Sequence, residues 1–345
     1  MNPNHDLQTP LRGVRVVEFE GIGPGPVAGR ILAAMGADVT VIARPVPSPV
    51  QQMGGADYPL RAGKKVVGLD LKKADDLARA LDLVAGADAL IEGSRPGVME
   101  RLGLGPEACR ARNPKLVYGR MTGWGQQGPL AQSAGHDLNY VALTGLLSLA
   151  ARPGQAPIVP PTVVGDAAGA LGLAFGIVCG VLDARSSGIG RVVDAAIVDV
   201  VAMLGTLVHW LHASDALGGG RPSPFHDSPQ YDTYACADGG YITIGALEPQ
   251  FYALLLDKLG MTDVDPREQG DTDKWPTLKA RFASLFRTRT RDEWSLLLEG
   301  TDVCFAPVLS IDEAALHPHN VARGLFPRTA SGAIDTQVAP RFTAL

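Results

Sequence analysis

Residues 14–44, VRVVEFEGIGPGPVAGRILAAMGADVTVIAR, contain the stretch that decides the fold. Two short runs rich in Val and Ile, at 14–20 and 38–44, flank a glycine-rich turn and a segment with helical spacing of apolar residues. Branched residues favour strands, and glycine permits the sharp turn between a strand and the helix that follows it. The stretch therefore predicts a strand, glycine turn, helix, strand unit whose two strands run parallel.

The same alternation of strand-like and helix-like segments continues downstream. Strand-like runs lie at 66–72, 89–94 and 115–121, and a helical pattern covers about 75–85. Strands that alternate with helices are typical of a parallel sheet covered by helices. We therefore expect an α/β domain at this end of the chain.

From Asp166 onward the sequence becomes more continuously apolar. It predicts two long helices separated by SSGIGR (186–191), the second carrying VVDAAIVDVVAMLGTLVHWLHA (192–213). In the first helix, glycines recur every four residues at 172, 176 and 180. Such a row lies on one helix face and indicates a buried helix that a neighbour approaches closely.

The last third of the chain predicts a second domain. Residues 218–230 are rich in Gly, Pro and Ser, which is typical of a linker. Asp238-Gly239-Gly240 predicts a hairpin turn, and helical patterns follow it. We therefore divide the chain into a large domain (1–195, completed by 319–345), a helical connection and linker (196–229) and a small α+β domain (230–318).

The composition is that of a folded globular protein with a mild negative charge. Hydrophobic residues make up 46% of the 345 positions, and the formal net charge is −5. Lys and Arg are scattered, which argues against a nucleic-acid or anionic-membrane surface. The longest uncharged run, 167–182, is short for a membrane span. We therefore expect neither a nucleic-acid nor a membrane partner.

Cysteine usage and the two termini point to a reducing compartment. The four cysteines are widely spaced, with no CxxC pair and no histidine at metal-ligand spacing. This predicts reduced thiols and no metal site. The N-terminal MNPNHDLQTP has no apolar signal segment and the C-terminal APRFTAL is not a peroxisomal address. We expect a cytoplasmic protein.

The glycine turn raises the possibility of a nucleotide site. Gly23, Gly25 and Ala28 fit the pattern G-x-G-x-x-A after a strand, and an arginine at position 44 is where NADP-binding proteins hold a 2′-phosphate. Prolines at positions 24 and 26 argue against it, because proline has no N–H to donate to a pyrophosphate. An NADP-binding protein remains a remote alternative, and a tight turn is the simpler interpretation.

Arg44 also suggests a different anionic ligand. It ends the second predicted strand, and Arg95 and Arg101 lie in RPGVMERLGLG (95–105), just after another strand. Loops at the carboxyl ends of parallel strands gather around one crevice. The three arginines are therefore predicted to converge on a ligand that carries phosphates.

Three further residues are candidates for chemistry, although each has a structural interpretation. His136 stands beside Asp137 in SAGHDLNY (133–140), Asp166 stands where a helix N-cap belongs, and Glu248 precedes the proline of another predicted helix. Taken one at a time, the histidine could be structural and the two carboxylates could be helix caps.

Many motifs in one unbroken order carry a resemblance to a known family. They are GIGPGP, EGSRPGVMERLGLGP, RMTGWGQQGP, AGHDLNY, VVGDAAG, SSGIGRVVDAAIVD, YDTYACADGGYITIGALEPQFY and CFAPVL. From about residue 11 to the C-terminus the chain resembles the α-methylacyl-CoA racemases of the class III CoA-transferase superfamily. The resemblance implies an α/β fold with a Rossmann-like, CoA-binding large domain, a smaller α+β domain, and an interlocked homodimer whose active site is shared between subunits.

The resemblance also implies roles for particular residues. His136 and Asp166 match the family's acid/base pair, and Glu248 matches the carboxylate that supports the histidine. The backbone N–H of Asp137 matches the donor to the enolate oxygen. The positions that match the CoA site are Ile22, Arg44, Arg95 and Arg101. No cofactor is implied, because CoA is part of the substrate.

These residue types suit inversion of a carbon next to a thioester. One group must take a proton from one face of the carbon while another returns a proton to the opposite face. The sequence thus predicts an isomerase of lipid metabolism that racemises 2-methyl-branched acyl-CoA. The alternative is a class III CoA-transferase, in which Asp166 attacks the thioester and carries the acyl group as a mixed anhydride. His136 and Glu248 favour the racemase, since a transferase needs no second proton carrier.

Overall fold

The structure is a computed structural model that describes residues 9–46, 58–151, 154–218 and 220–343. The chain divides into two compact units. The large unit comprises residues 1–205 and 324–345, and the small unit comprises residues 206–323. The α/β class expected from the sequence is confirmed, with one parallel sheet and one small antiparallel sheet.

Six parallel strands form the sheet of the large unit, in the spatial order 3-2-1-4-5-6. They are β1 (Arg15–Phe19), β2 (Asp38–Ala43), β3 (Lys65–Gly68), β4 (Ala89–Glu92), β5 (Val117–Thr122) and β6 (Val192–Ala196). This is the order of a Rossmann fold, in which the chain changes direction between β1 and β4. The loops that follow β1 and β4 therefore flank the crevice where such sheets bind ligands.

Helices cover both faces of this sheet. They are α1 (Pro24–Ala34), α2 (Ala74–Ala85), α3 (Val98–Arg101), α4 (Pro106–Arg112), α5 (Asp137–Leu143), α6 (Asp166–Ser187) and α7 (Ile197–Leu204). Alternation along β1 sends Val16 into the core beneath α1 and α6, and Val17 into the core beneath α2 and α4. Both cores are built from buried aliphatic side chains, as a parallel sheet covered on two faces requires.

The residues 192–196 are a strand, whereas the sequence analysis predicted that they begin a helix. This prediction was wrong. Val192 to Ala196 pair in parallel with Tyr118 to Thr122 of β5 and form the last strand of the sheet. A short apolar run has no periodicity that separates a strand from a buried helix, so the pairing with β5 decides.

The glycine row of α6 is confirmed as a face of close approach. A Cβ placed on Gly172, Gly176 or Gly180 would lie 2.6, 2.6 or 2.7 Å from the side chains of Val200, Val193 or Val117, respectively. With 22 residues, α6 exceeds the predicted uncharged run, and by length and composition it could span a membrane. In the large unit it packs against α1, α7, β5 and β6.

The small unit contains a three-stranded antiparallel sheet ordered β7 (Tyr231–Ala235), β8 (Tyr241–Gly245), β9 (Phe305–Val308). The predicted hairpin is confirmed by the pairing of β7 with β8. Its helices are α8 (Thr206–Ala213), α9 (Pro249–Lys258), α10 (Trp275–Phe286), α11 (Arg291–Leu298), α12 (Ile311–Leu316) and α13 (Pro318–Arg323). Aromatic side chains of β7, α10 and α11 stack in its core: Tyr234, Phe282, Phe286 and Trp294.

The segment predicted to be a linker packs into the small unit. Ser223, Ser228 and Gln230 are buried, and the backbone carbonyl of Gln230 accepts a hydrogen bond from the N–H of Ala246. Lys279 of α10 donates to the carbonyl of His226 at 3.2 Å. Polar groups that are buried and bonded in this way do not behave as an open spacer.

Candidate active site

The carboxyl edge of the parallel sheet gathers several of the predicted residues. Ile22 lies in the loop after β1 and exposes 57% of its surface, and Arg95 is exposed in the loop after β4. These are the two loops on either side of the point where the strand order reverses. The fold thus puts an exposed apolar residue and an exposed cationic residue in the two loops that flank the switch point of the strand order.

His136 is exposed and stands at the N-cap position of α5. Its extended backbone, with φ −135° and ψ 174°, lets its own N–H donate a hydrogen bond to the side-chain Oδ1 of Asn139 at 3.0 Å. This local bond fixes the backbone that carries the imidazole. Because the residue is exposed, its imidazole is accessible to a substrate.

Asp137, the next residue, is 7% exposed and turns its carboxylate away from solvent. Its Oδ1 accepts hydrogen bonds from the backbone N–H groups of Gly165 and Asp166, both at 2.7 Å. A helix leaves its first N–H groups without partners inside the helix, and here two at the start of α6 find one carboxylate. Asp137 thereby ties the first residue of α6 to the first residue of α5.

Asp166 is half-buried and is the first residue within α6, with Gly165 at the N-cap position. The sequence analysis had predicted that Asp166 is the N-cap residue itself, one position before the first helical residue. Burial raises the pKa of its carboxyl group, the charge of Asp137 raises that pKa further, and His136 lowers it. His136 therefore lies close enough to act on the carboxylate of Asp166.

Two residues of the site were not assigned to it from the sequence. Gly23, with φ +72°, faces Asp166, and a Cβ placed on it would lie 3.6 Å from the Oδ2 of that carboxylate. Tyr140 donates its hydroxyl hydrogen to the carbonyl of Gly135, and its ring meets Trp124 edge to face at 4.7 Å. Tyr140 thus holds the backbone just before His136 by a hydrogen bond to Gly135.

The pKa of Tyr140 locates two charges near this ring. Burial raises it most, Asp166 raises it further and Arg95 lowers it. Arg95 from the loop after β4 is therefore in electrostatic reach of the same aromatic ring as Asp166. This agrees with a crevice that joins the arginine to the carboxylate.

The three predicted CoA-site arginines lie at the same edge of the large unit. Arg44 follows β2, Arg95 follows β4 and Arg101 ends α3, and all three are exposed. None makes an ion pair within the ranges that the structure describes. Three cations without an acidic partner suit a ligand that carries several phosphates.

Glu248 belongs to the small unit, apart from the unit that holds His136. It occupies the N-cap position of α9, but its side chain makes no capping hydrogen bond there. Its charge acts on Cys304 and raises the pKa of that thiol, after burial. The carboxylate is thus available for a partner other than its own helix.

Among the described residues, no group of three or more His, Cys, Asp or Glu side chains could hold a metal ion. The glycine turn also fits a pyrophosphate poorly. Pro24 and Pro26 both fall in the first turn of α1, where they remove two of the N–H groups that a dinucleotide would require. The turn instead brings Gly23 against Asp166.

The fold and site define an α/β protein with a Rossmann-type sheet, exposed arginines at the carboxyl edge of that sheet, and an imidazole near a carboxylate. The sequence matches the family described as CoA-transferase family III over residues 11–344, and the chain belongs to that family. The resemblance expected from the motifs is thereby confirmed.

Individual relatives cover most of the chain. The α-methylacyl-CoA racemase of Mus musculus is 40% identical over 321 residues, which span 92% of this chain and 82% of the mouse protein. The racemase of Homo sapiens is 38% identical over 347 residues, 96% of this chain and 88% of the human protein. These two proteins are similar to this chain over both of its units.

A solved structure from Mycobacterium tuberculosis shares the fold. It superposes with a TM-score of 0.81 at 28% identity, over 98% of this chain and 94% of that one. The sequence of the same protein, which is named a probable fatty acyl-CoA transferase, is 31% identical over 334 residues, 88% of this chain and 84% of its own length. The family thus includes relatives named for both kinds of chemistry.

Proposed function

We propose that this chain is an isomerase that inverts the α-carbon of 2-methyl-branched acyl-CoA thioesters by two-base proton transfer. The observation that carries the proposal is the junction of α5 and α6, where Asp137 holds Asp166 beside His136. An imidazole and a carboxylate are two groups that can each give and take a proton. Two relatives named α-methylacyl-CoA racemase, at 38% and 40% identity, support the same assignment.

In the proposed reaction the two groups start in opposite protonation states. One takes the α-proton, and the electron pair of the C–H bond moves into the thioester carbonyl to form an enolate. The other then donates its proton to the opposite face of the same carbon, and the carbonyl re-forms. Each group ends in the state that the other had at the start. His136 serves one enantiomer as base and Asp166 serves the other.

The enolate oxygen needs a hydrogen-bond donor that is already in position. The backbone N–H of Asp137, at the start of α5, makes no hydrogen bond with any residue in the described ranges. It is the proposed donor. Glu248 is proposed to accept a hydrogen bond from the imidazole of His136 and so to fix its orientation.

The CoA moiety is proposed to lie along the carboxyl edge of the sheet. Ile22 would contact its apolar part, and Arg44, Arg95 and Arg101 would bind its phosphates, since exposed arginines form bidentate hydrogen bonds with phosphate oxygens. CoA enters as part of the substrate. We propose that the reaction uses no other cofactor and no metal, and that the enzyme acts in cytoplasmic lipid metabolism.

We also propose that the protein works as a homodimer in which the small unit of one subunit supplies Glu248 to the large unit of the other. One face of α6 supports an oligomer, because four apolar residues at helical spacing are exposed on it: Leu171, Phe175, Val178 and Leu182. An apolar stripe of this kind is unusual on a monomer. Sedimentation that gives a dimer for the wild type and a monomer for Phe175→Glu is the expected result; a monomeric wild type contradicts it.

The test of the reaction is α-hydrogen exchange in D₂O. Given one enantiomer of a 2-methylacyl-CoA, the enzyme should incorporate deuterium at the α-carbon and yield both epimers, with no metal or nicotinamide added. NMR follows the exchange, and chiral chromatography follows the epimers. If the enzyme yields neither deuterated substrate nor the second epimer, the racemase proposal is rejected.

The alternative is a CoA-transferase, favoured by the M. tuberculosis relative named for that chemistry. In that reaction Asp166 attacks the thioester carbonyl, the C–S bond breaks and an aspartyl anhydride forms. Hydroxylamine added during turnover with a free acid would then trap an aspartyl hydroxamate. Racemisation predicts α-exchange and no hydroxamate. Tight binding of NADP with no affinity for acyl-CoA would instead support the nucleotide-binding alternative.

A further inference from the structure

The side chain of Asp137 has an unusual environment for a residue at the start of a helix. An aspartate in the first turn commonly faces solvent and interacts with the N–H groups of its own helix. Here the carboxylate is buried and serves the N–H groups of a different helix, 28 and 29 residues further along the chain. The only residue that fits between them is glycine, because a Cβ on Gly165 would lie 2.4 Å from the Asp137 Oδ1.

We propose that the side chain of Asp137 is a positioning residue for proton transfer: it locks Asp166 to the backbone that carries His136 and places a second negative charge beside the Asp166 carboxylate. This inference rests on the proposed function and deepens it. The two hydrogen bonds set the geometry of the acid/base pair, and the charge sets its electrostatics.

The geometric part follows from how the two candidates are attached. His136 and Asp166 belong to separate helices that are joined in sequence by a long irregular segment. Two hydrogen bonds of 2.7 Å, both accepted by a single oxygen of Asp137, fix the starts of these helices relative to each other. Displacement of a reacting group by about 1 Å can cost on the order of 100-fold in rate. A connection of this kind therefore fixes the geometry on which the rate of the proposed reaction depends.

The electrostatic part concerns how readily the pair shares a proton. Ordinary pKa values are about 3.9 for Asp and about 6.5 for His, so an unperturbed carboxylate holds a proton much more weakly than an imidazole. A racemase uses the two groups alternately, and a smaller difference in proton affinity lowers the cost of exchanging their states.

The groups whose charges reach this carboxylate are few. Burial and the Asp137 charge both raise the pKa of Asp166, whereas His136 lowers it. The phenol of Tyr140 is a further titratable neighbour, because the charge of Asp166 raises its pKa and Arg95 lowers it. Asp137 is therefore the acidic neighbour that brings the carboxylate closer to the imidazole in proton affinity.

The experiment compares Asp137→Asn with Asp137→Ala. Asparagine keeps an oxygen that accepts from Gly165 and Asp166 but removes the charge, whereas alanine removes both. Asp183→Asn is the matched control, because it removes a carboxylate charge from α6, the helix that Asp166 begins, roughly 25 Å along the helix axis from Asp166. Circular dichroism and thermal unfolding verify that each variant is folded.

The readouts are the carboxyl pKa of Asp166, measured by NMR on protein with ¹³C-labelled aspartate, and the pH profile of racemisation. In Asp137→Asn we expect the pKa of Asp166 to fall and the acid limb of the profile to move to lower pH. In Asp137→Ala we expect a further loss of kcat of about 10- to 100-fold, with KM little changed. The control should match the wild type in both readouts.

An Asp166 pKa that is the same in Asp137→Asn and the wild type overturns the electrostatic part. Equal kcat in Asp137→Ala and Asp137→Asn overturns the positioning part. If the wild type shows no α-exchange at all, the proposed racemase fails, but the NMR titration still decides whether Asp137 acts on Asp166. The two failures are therefore distinguishable.

Discussion

The Nζ atom of Lys64 lies 2.6 Å from the Oε2 atom of Glu18, and the two side chains are 0% and 3% exposed. The same Nζ donates to the carbonyl of Pro26 at 2.9 Å, in the first turn of α1. This buried pair thus sits beneath the helix whose N-terminal loop faces Asp166. It joins β1, the residue just before β3 and the first turn of α1.

Removal of the cation should leave a buried carboxylate without a partner. For Lys64→Met we expect a loss of about 3–5 kcal/mol in the free energy of unfolding, whereas the double variant Glu18→Gln/Lys64→Met should recover most of it. Urea unfolding followed by circular dichroism measures both. A double variant as unstable as Lys64→Met would show that the unpaired Glu18 carboxylate does not cause the loss of stability.

The same pair predicts a pH dependence of stability. Burial raises the pKa of Glu18 from 4.5 to about 7, against the opposing effect of Lys64. Because the folded state holds this proton more tightly than the unfolded state, the contribution is full below pH 4.5 and is lost as the pH rises through about 7. The urea midpoint of the wild type should therefore decline between pH 5 and 8 more than that of the double variant. Equal slopes would contradict the assignment.

The close contact of α6 with β6 can be tested at Gly176. Alanine in an exposed helix stabilises by up to about 1 kcal/mol relative to glycine. Here its Cβ would lie 2.6 Å from the Cγ1 of Val193, so we expect Gly176→Ala to destabilise by about 1–3 kcal/mol. Val193→Ala added to Gly176→Ala should restore part of the loss, as measured by thermal unfolding. No rescue would mean that other contacts dominate.

The proposed acid/base pair predicts opposite defects in two variants. His136→Ala should slow α-deuterium exchange from one enantiomer far more than from the other, and Asp166→Ala should show the reverse bias. The expected difference is about 10²- to 10⁴-fold, the usual contribution of a positioned proton carrier. Mass spectrometry of each enantiomer in D₂O measures it. Equal residual rates for both enantiomers would remove the two-base mechanism.

The three arginines at the carboxyl edge should act on binding. Replacement of Arg44, Arg95 or Arg101 by Ala should raise KM for acyl-CoA about tenfold or more and leave kcat nearly unchanged, since a hydrogen bond to a charged group contributes about 1.5–3 kcal/mol. Arg79→Ala is the control, because Arg79 is exposed on α2 and pairs with Asp76. A KM equal to that of the control at all three positions would place the CoA phosphates elsewhere.

The parts of the fold that the sequence predicted are those with a local signal. Branched residues next to a glycine turn predict the strands β1 and β2. The turn sequence Asp238-Gly239-Gly240 predicts the hairpin of the small unit. The strand β6 has no such signal, because VVDAA runs directly into the apolar helix α7. Its identity depends on pairing with β5, which lies far away in sequence.

The site divides in the same way. The motifs around His136 and Asp166 could be recognised from residue type, and a carboxylate before a helix is a local pattern. The connection through Asp137 could not, because its partners are backbone N–H groups, which carry no residue signature. Gly23 was noticed only as part of a turn, since its proximity to Asp166 arises from tertiary packing.

The segment 324–345 completes the large unit although it follows the small unit in the chain. Arg30 in α1 donates to Asp335 Oδ1 and to the carbonyl of Thr336, both at 2.7 Å. During synthesis on the ribosome, α1 therefore emerges early but must wait for its acidic partner until the whole small unit has been translated. The small unit is encoded after the strands of the sheet, but its sequence is complete before that of the large unit. The order of folding therefore need not follow the order of the genetic message.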